Sequence, residues 1–263
     1  MRPILRWAGS KRRIVSKLAD YWNASGSTRY VEPFAGSAAL FCSIEAKRAV
    51  LGDMNGDLIS MYEPVRDHPN RVANALHRWA GEKDEYYEVR ATLPESLAPE
   101  VRAARFLYLN RWCFNGIYRT NKLGHFNVPF GGNRVGPSVT REDLLRFSKL
   151  IRWTLLVPGD FSETLTHVEP GDFVYLDPPY SIQGVRVFNE YVSGGFGASD
   201  LQRLRLHLEN LHSKHCRFLV SYADCEEGRA LGQGFKIDVV EVTRNVGGFR
   251  SRRRKAREIL IHN

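Results

Sequence analysis

The chain has 263 residues, 43% hydrophobic and 25% charged, which allows one large domain, or one core domain with a substantial insertion. No apolar run approaches the ~20 residues of a membrane span, and the start, "MRPILRWAGSKRR", lacks a signal peptide's long apolar segment, so a cytoplasmic protein is expected. A net charge of +9 points to a polyanionic partner through counterion release, with plain solubility as the alternative reading.

In chain order, Ser10 to about Trp22 carries Ile14, Leu18, Tyr21 and Trp22 at helical spacing, with Ser10 as the expected N-cap. "RYVEPFAGSAALF" then reads as a strand, a small-residue turn and the apolar start of a helix. "AVLGDMNGDLISMY" repeats that grammar, its strand ending at Asp53. Residues from roughly 60 to 150 differ: helical stretches such as "EVRAARFLYLNRW" precede a long polar loop, "CFNGIYRTNKLGHFNVPFGGNRVGP". A loop of that length is functional or disordered, and its aromatics argue against disorder. Alternation then resumes. "TLLVPGDF", "DFVYLDPPY" and "RFLVSYAD" read as strands, and Ser199 as the cap of a helix with Leu201, Leu204, Leu208 and Leu211 on one face. The last segment reads as two strands around a basic turn. Strands alternating with helices imply a mainly parallel sheet covered on both faces, with ligands at the carboxyl ends of its strands. The acidic turns lie at such ends. The four cysteines, Cys42, Cys113, Cys216 and Cys225, form no C-x-x-C pair and no metal-ligand spacing with histidine, so reduced structural thiols and no metal are expected.

Two constellations carry chemistry. In "EPFAGS" the small residues after the strand let a ligand approach outward-pointing helix N–H groups, and Asp53, 17 positions after Gly36, is placed to hold a ribose diol. A tight strand–helix turn with a capping acid reads equally well. In "YLDPPYS" a strand stops on Asp177, two prolines and Tyr180. The carboxylate accepts a hydrogen bond from an amine, proline leaves carbonyl acceptors free, and the tyrosine offers a flat face for a planar ring. An exocyclic amine on an aromatic base fits all three. A rigid strand-ending turn is the bland alternative.

Here the chain resembles a known family. "RWAGSK", "VEPFAGS", "GDMNGDLI", "RFLYLNRWCFNG", "HFNVPFG", "YLDPPY" and "RKAREILI" occur in the order seen in Dam-type DNA adenine-N6 methyltransferases, the D12-class, alpha-group amino methyltransferases that use S-adenosylmethionine. The resemblance covers nearly the whole chain. It implies an α/β fold, a Rossmann-like methyltransferase sheet (1–58 and 150–263), with an inserted helical DNA-recognition subdomain (59–149). It implies that Trp7, Lys11, Glu32, Pro33, Phe34, Gly36, Asp53, Asp160, Phe161 and Asp177 bind the cofactor, and that Asp177, Pro178 and Tyr180 also hold the target adenine. A base must leave the duplex to reach such a site. The resemblance gives Phe114 as a wedge beside Asn115, and Arg119 as a guanine reader with Ile117, Asn121 and Pro129 nearby. Arg6 stands where lysine is common and adds a guanidinium fork for the leading guanine of GATC; Arg119 takes the guanine opposite the final cytosine. Core packing for Phe114 and a phosphate contact for Arg119 are the plain alternatives.

Ala38 replaces the usual second glycine of the cofactor turn and is expected to be strained if the backbone there is left-handed. Residues 244–257 hold seven basic side chains, among them Arg252, Arg253 and Arg254, a phosphate clamp or a solvated tip. "SIQGVRVFNEYVSGGFGAS" is either a lid or a plain connection. The expected partner is double-stranded DNA, with no membrane, and the expected state a monomer. An RNA or protein-glutamine methyltransferase, and a silent DNA-binding module, are the rival functions.

Overall fold

The computed structural model describes residues 1–132, 135–136, 138–179, 196–245 and 253–263. Seven strands form one sheet: β1 (Arg29–Glu32), β2 (Arg48–Asp53), β3 (Thr154–Pro158), β4 (Phe173–Leu176), β5 (Arg217–Ala223), β6 (Lys236–Asn245) and β7 (Arg253–His262). Their order is β3-β2-β1-β4-β5-β7-β6. The first five run parallel, and β7 lies antiparallel between β5 and β6. The chain moves outward from β1 to β3, then returns to place β4 on the other side of β1. That reversal opens a crevice at the carboxyl ends of β1 and β4, where doubly wound sheets bind ligands.

The inner strands are largely buried on both faces, and their side chains sort by alternation. Tyr30, Phe173, Tyr175 and Leu219 join one apolar cluster, while Val31, Val174, Leu176, Phe218 and Val220 join the other. The second cluster is closed by α8 (Phe161–Leu165), α9 (Ala198–Ser213) and α10 (Glu226–Leu231). As the leucine spacing predicts, Leu204, Leu208 and Leu211 of α9 are buried and Leu201 packs at the edge. Each such side chain contributes about 1.5–3 kcal/mol when removed from water.

The first cluster is closed by α1 (Val15–Ser25), α2 (Ala39–Ile44) and α3 (Gly56–Asp67), and it runs on without a break into α4 (Pro69–Leu76), α5 (Lys83–Ala91), α6 (Pro99–Trp112) and α7 (Arg141–Leu150). Buried Tyr62, Tyr86, Tyr108 and Phe147 make that continuity. Residues 59–149 thus share a core with one face of the sheet.

Three local expectations are corrected. Ser10 does not cap α1, which begins at Val15 with Ile14 in the cap position. Residues 7–14 instead fold as two successive turns, Ser10 N donating to Trp7 O and Ile14 N to Lys11 O, with Gly9 at φ +78°. Those turns carry Lys11 onto the end of β4. Ser199 lies inside α9; the Gly197 N–H at its start donates to the Asp200 carboxylate. The long polar loop is a narrow hairpin, bridged at Cys113–Phe130 and Thr120–Phe126. Its tip closes because Asn121 Oδ1 accepts from Leu123 N and His125 N, while Gly124 takes φ +80°. The two terminal strands around the basic turn form as read, with Asn245 opposite Arg253.

Candidate active site

The turn after β1 is built from backbone. Gly36 stands at φ +48° and Ala38 at φ +51°, ψ +46°, so the left-handed geometry expected at Ala38 is present in a residue with a side chain. Asp53, at the end of β2, spends both oxygens on this region: Oδ2 accepts from Gly36 N at 2.8 Å and Oδ1 from Asn55 N at 2.9 Å. Tyr62 donates to the Gly36 carbonyl from below at 2.8 Å. Trp7 lies over the turn, so close that a Cβ on Gly36 would sit 2.8 Å from its Cδ1. The same indole stacks on Tyr118 and Phe106. Ser10 Oγ lies 3.2 Å from Ser37 Oγ and fastens the N-terminal turns to this loop.

Beside the turn, Phe34 stacks on Phe161 with ring centroids 5.4 Å apart, and Phe196 meets both edge-on or tilted. Asp160 caps α8 through Ser162 N. Its carboxylate also pairs with Arg203 of α9, whose guanidinium rests over the Phe161 ring. Phe161 itself is buried, so its edge of the site is a floor and not an open wall.

At the end of β4, Asp177 Oδ1 and Oδ2 receive Lys11 Nζ at 2.6 and 2.9 Å. Ser221 Oγ of β5 donates to Oδ1 at 3.0 Å. The Lys11 and Asp177 side chains are only 9% and 19% exposed. Burial raises the Asp177 carboxyl above its ordinary value, and Lys11 pulls it back. Glu32 is 3% exposed, its Oε2 has no hydrogen-bond partner, and burial holds its carboxyl well above the usual range. Burial likewise pushes Asp53 up to about 6, against the two backbone N–H groups that favour its charge. Pro33 follows Glu32 in the turn; Pro178 is buried and Pro179 exposed. Tyr180 and Arg252 lie outside the described residues, as does the possible lid up to residue 195. Arg253 and Arg254 fall on the backbone of β7.

The other group sits on the hairpin. Phe114, half-buried, donates its N–H to Pro129 O at 2.9 Å, so both belong to the base of the hairpin. Asn115 is exposed in a left-handed bend and Ile117 packs against the core. Arg119 Nε donates to Asn127 Oδ1 at 2.8 Å, straight across the hairpin, where Asn127 N also meets Arg119 O. Arg6 joins the two groups. Its backbone is clamped by Asn110, its Nη1 donates to Arg111 O, and its side chain packs on Gly116 and Gly136. A cavity of about 250 Å³ lies under the hairpin, lined by Arg90, Arg105, His125 and Asn127 among others. Its arginines are committed elsewhere: Arg105 to the carbonyls of Val89 and Arg90, Arg90 to that of Val128.

Sequence reasoning missed Ser221, Tyr175, Arg203 and Asn127. For Ser221 the signal was present, a hydroxyl inside the apolar strand "RFLVSYA". Arg203 gave none, being one of two arginines on α9. The described residues include no group of three His, Cys, Asp or Glu able to hold a metal, and no helix long and apolar enough to cross a membrane. The four cysteines are free, and burial pushes the Cys42 and Cys113 thiols up to about 12.

The family described as D12 class N6 adenine-specific DNA methyltransferase matches residues 7–246. A DNA adenine methylase of Serratia marcescens is 33% identical over 266 residues, covering 98% of this chain and 97% of that protein. The retron Ec67 DNA adenine methylase of Escherichia coli is 32% identical, covering 99% and 90%. A type II methyltransferase of Lactococcus lactis subsp. cremoris is 31% identical, covering 100% and 95%. Among solved structures, a precorrin 8w decarboxylase of Methanobacterium thermoautotrophicum overlays with a TM-score of 0.44 at 11% identity, over 97% of this chain and 91% of that one, too distant to add to the sheet order. With the motif match spanning the strand ends and the hairpin alike, the chain belongs to the D12 class of N6 adenine-specific DNA methyltransferases.

Proposed function

We propose that the methyl donor is S-adenosylmethionine, that the target adenine is flipped out of duplex DNA, and that GATC is the preferred site. One observation carries the reading: Asp177, the Gly36 turn and Asp53 stand together at the carboxyl ends of adjacent strands β4, β1 and β2. The residues present fit the donor. Glu32, with its unpartnered buried oxygen, suits an ammonium; Asp53 suits a ribose diol; Phe34 and Asp160 suit an adenine. When bound, the donor supplies a methyl group on a positively charged sulfur.

The protein's own groups do the rest. Asp177 accepts from the target amine and draws its lone pair out of conjugation with the ring. Lys11 holds both Asp177 oxygens, so it must yield one before an amine enters. Trp7, packed on Gly36, closes the turn, and Pro178 stiffens the chain that aims Asp177. Catalysis is then mostly positioning.

Residues 59–149 read the duplex in this proposal. Phe114 and Asn115 fill the space the adenine leaves, while Ile117, Asn121 and Pro129 flank it. Arg119 and Arg6 contact guanines in the major groove, and Arg252, Arg253 and Arg254 contact phosphates. The enzyme works as a monomer in the cytoplasm. Relatives named DNA adenine methylase support the choice of substrate. Methylation of a random duplex library with labelled S-adenosylmethionine tests it. Enrichment of GATC is expected; methylated adenine in all contexts alike would leave a relaxed adenine methyltransferase.

A further inference from the structure

Inside the sheet, β4 and β5 bring one pair of hydroxyls into contact. Tyr175 is 2% exposed and Ser221 fully buried. Their oxygens lie 2.9 Å apart, and Ser221 Oγ donates onward to Asp177 Oδ1 at 3.0 Å. Neither lies in the Asp-Pro-Pro-Tyr motif. Two buried hydroxyls in a core cost stability unless they satisfy one another, and here the chain of donors ends on the carboxylate at the mouth of the sheet.

The surroundings explain the use. Lys11 approaches from the N-terminal turns, Glu258 from β7 and Glu32 from β1, so one cation stands against two acids around Asp177. Among the described residues only Lys11 and Ser221 hydrogen-bond the Asp177 side chain. When the target amine takes Oδ2 from the lysine, the buried carboxylate is held less firmly by its cation. Ser221 is the donor that stays, because β5 is an inner strand and its side chain cannot move away.

We propose that Ser221, backed by Tyr175, is a positioning residue for the methyl transfer: it fixes the rotation of the Asp177 carboxylate through Oδ1 and keeps it ionised, leaving Oδ2 for the adenine amine. The proposal rests on the reading of Asp177 as the acceptor for that amine. The sign of its pH effect follows. Ionised Asp177 is the working form, so activity fails as pH falls through its pKa. Removing a donor to the charged form raises that pKa and moves the acid limb of the profile to higher pH.

The test compares Ser221→Ala, Tyr175→Phe and Asp177→Ala in the full chain, with S-adenosylmethionine and a GATC duplex. Ser221→Ala should lower kcat about tenfold or more, leave KM for DNA and the donor Kd unchanged, and shift the acid limb of kcat upward. Tyr175→Phe, which keeps the ring in the core, should shift it the same way by less, and carries the test if Ser221→Ala does not fold. An unchanged acid limb in both variants, or losses confined to thermal stability, would overturn the proposal. Asp177→Ala separates the two levels: if it retains turnover, the reading of Asp177 fails; if it is dead while Ser221→Ala and Tyr175→Phe behave as wild type, only the positioning role fails.

Discussion

Asp177 and Arg119 are the two charged groups on which the proposed function turns, and the protein holds them differently. Asp177 has both oxygens occupied by protein, from Lys11 and Ser221, and follows β4, whose four residues are all buried. Arg119 has one side-chain partner, Asn127, which takes Nε. Its two terminal nitrogens make no hydrogen bond or ion pair among the described residues, and they sit on a hairpin held by two bridges and tipped by Leu123 at 76% exposure. A group that does chemistry gains from a fixed partner set, because reorganisation during the reaction is costly. A group that reads a base gains from an open fork held at one point, because its partners arrive with the DNA.

The comparison is tested hardest at Asp177. Asp177→Ala should lower methylation by at least about 10²-fold, the scale of losing a preorganised electrostatic partner, while calorimetry finds donor affinity retained. Equal loss of donor binding would mean that the carboxylate serves the cofactor. At the reader, Arg119→Ala should cost about 1–3 kcal/mol of discrimination at one base pair, seen as relaxed methylation of a random library and not as uniform slowing. Asn127→Ala should act in the same direction by less, since the fork remains but its aim is lost; uniform weakening on all sequences would assign Asn127 to phosphate.

A smaller effect concerns Asp53, whose pKa stands at about 6. Its folded value lies above the unfolded one, so ionised Asp53 costs folding free energy above pH 6, and the cost fades as pH falls toward 4. Donor binding should run the other way, because only the carboxylate accepts at full strength. Affinity should weaken by about tenfold between pH 8 and pH 5 in the wild type and stay flat in Asp53→Asn, measured by calorimetry. The smallest change is at Ala38. Glycine there relieves left-handed strain of about 1–2 kcal/mol but loses a buried methyl worth about 0.8 and adds chain entropy, so stability should move by less than about 1 kcal/mol. Ala38→Val should destabilise by more than about 2 kcal/mol in denaturant melts, because a β-branched residue is excluded from that backbone.

What could be read from the sequence follows the same division. The strand ends were legible because Glu32, Asp53 and Asp177 each close an apolar run, and small residues next to an acid have few uses. The start of α1 was not: helical spacing from Ile14 onward masked the need for Lys11 to reach Asp177, which unwinds residues 7–14 into turns. The hairpin looked like a loop because two bridges leave no alternating pattern to read. Ser221 was hidden for the opposite reason. Its strand is so apolar that a serine reads as tolerated rather than placed. Asp53 was read as a ligand for a sugar or as a capping acid, and in the structure it braces the Gly36 backbone.

β7 is made after both of the strands it joins. It is last in chain order but sits between β5 and β6, with Leu260 paired to Ser221 and Ile261 to Val220. A nascent chain not yet extended through residue 262 has β5 as an open edge, its backbone groups unpaired and its apolar residues available to neighbouring chains. The support for Asp177 is therefore completed only once β7 is made, and a polypeptide stalled before it exposes β5 as an edge prone to pair with its own kind.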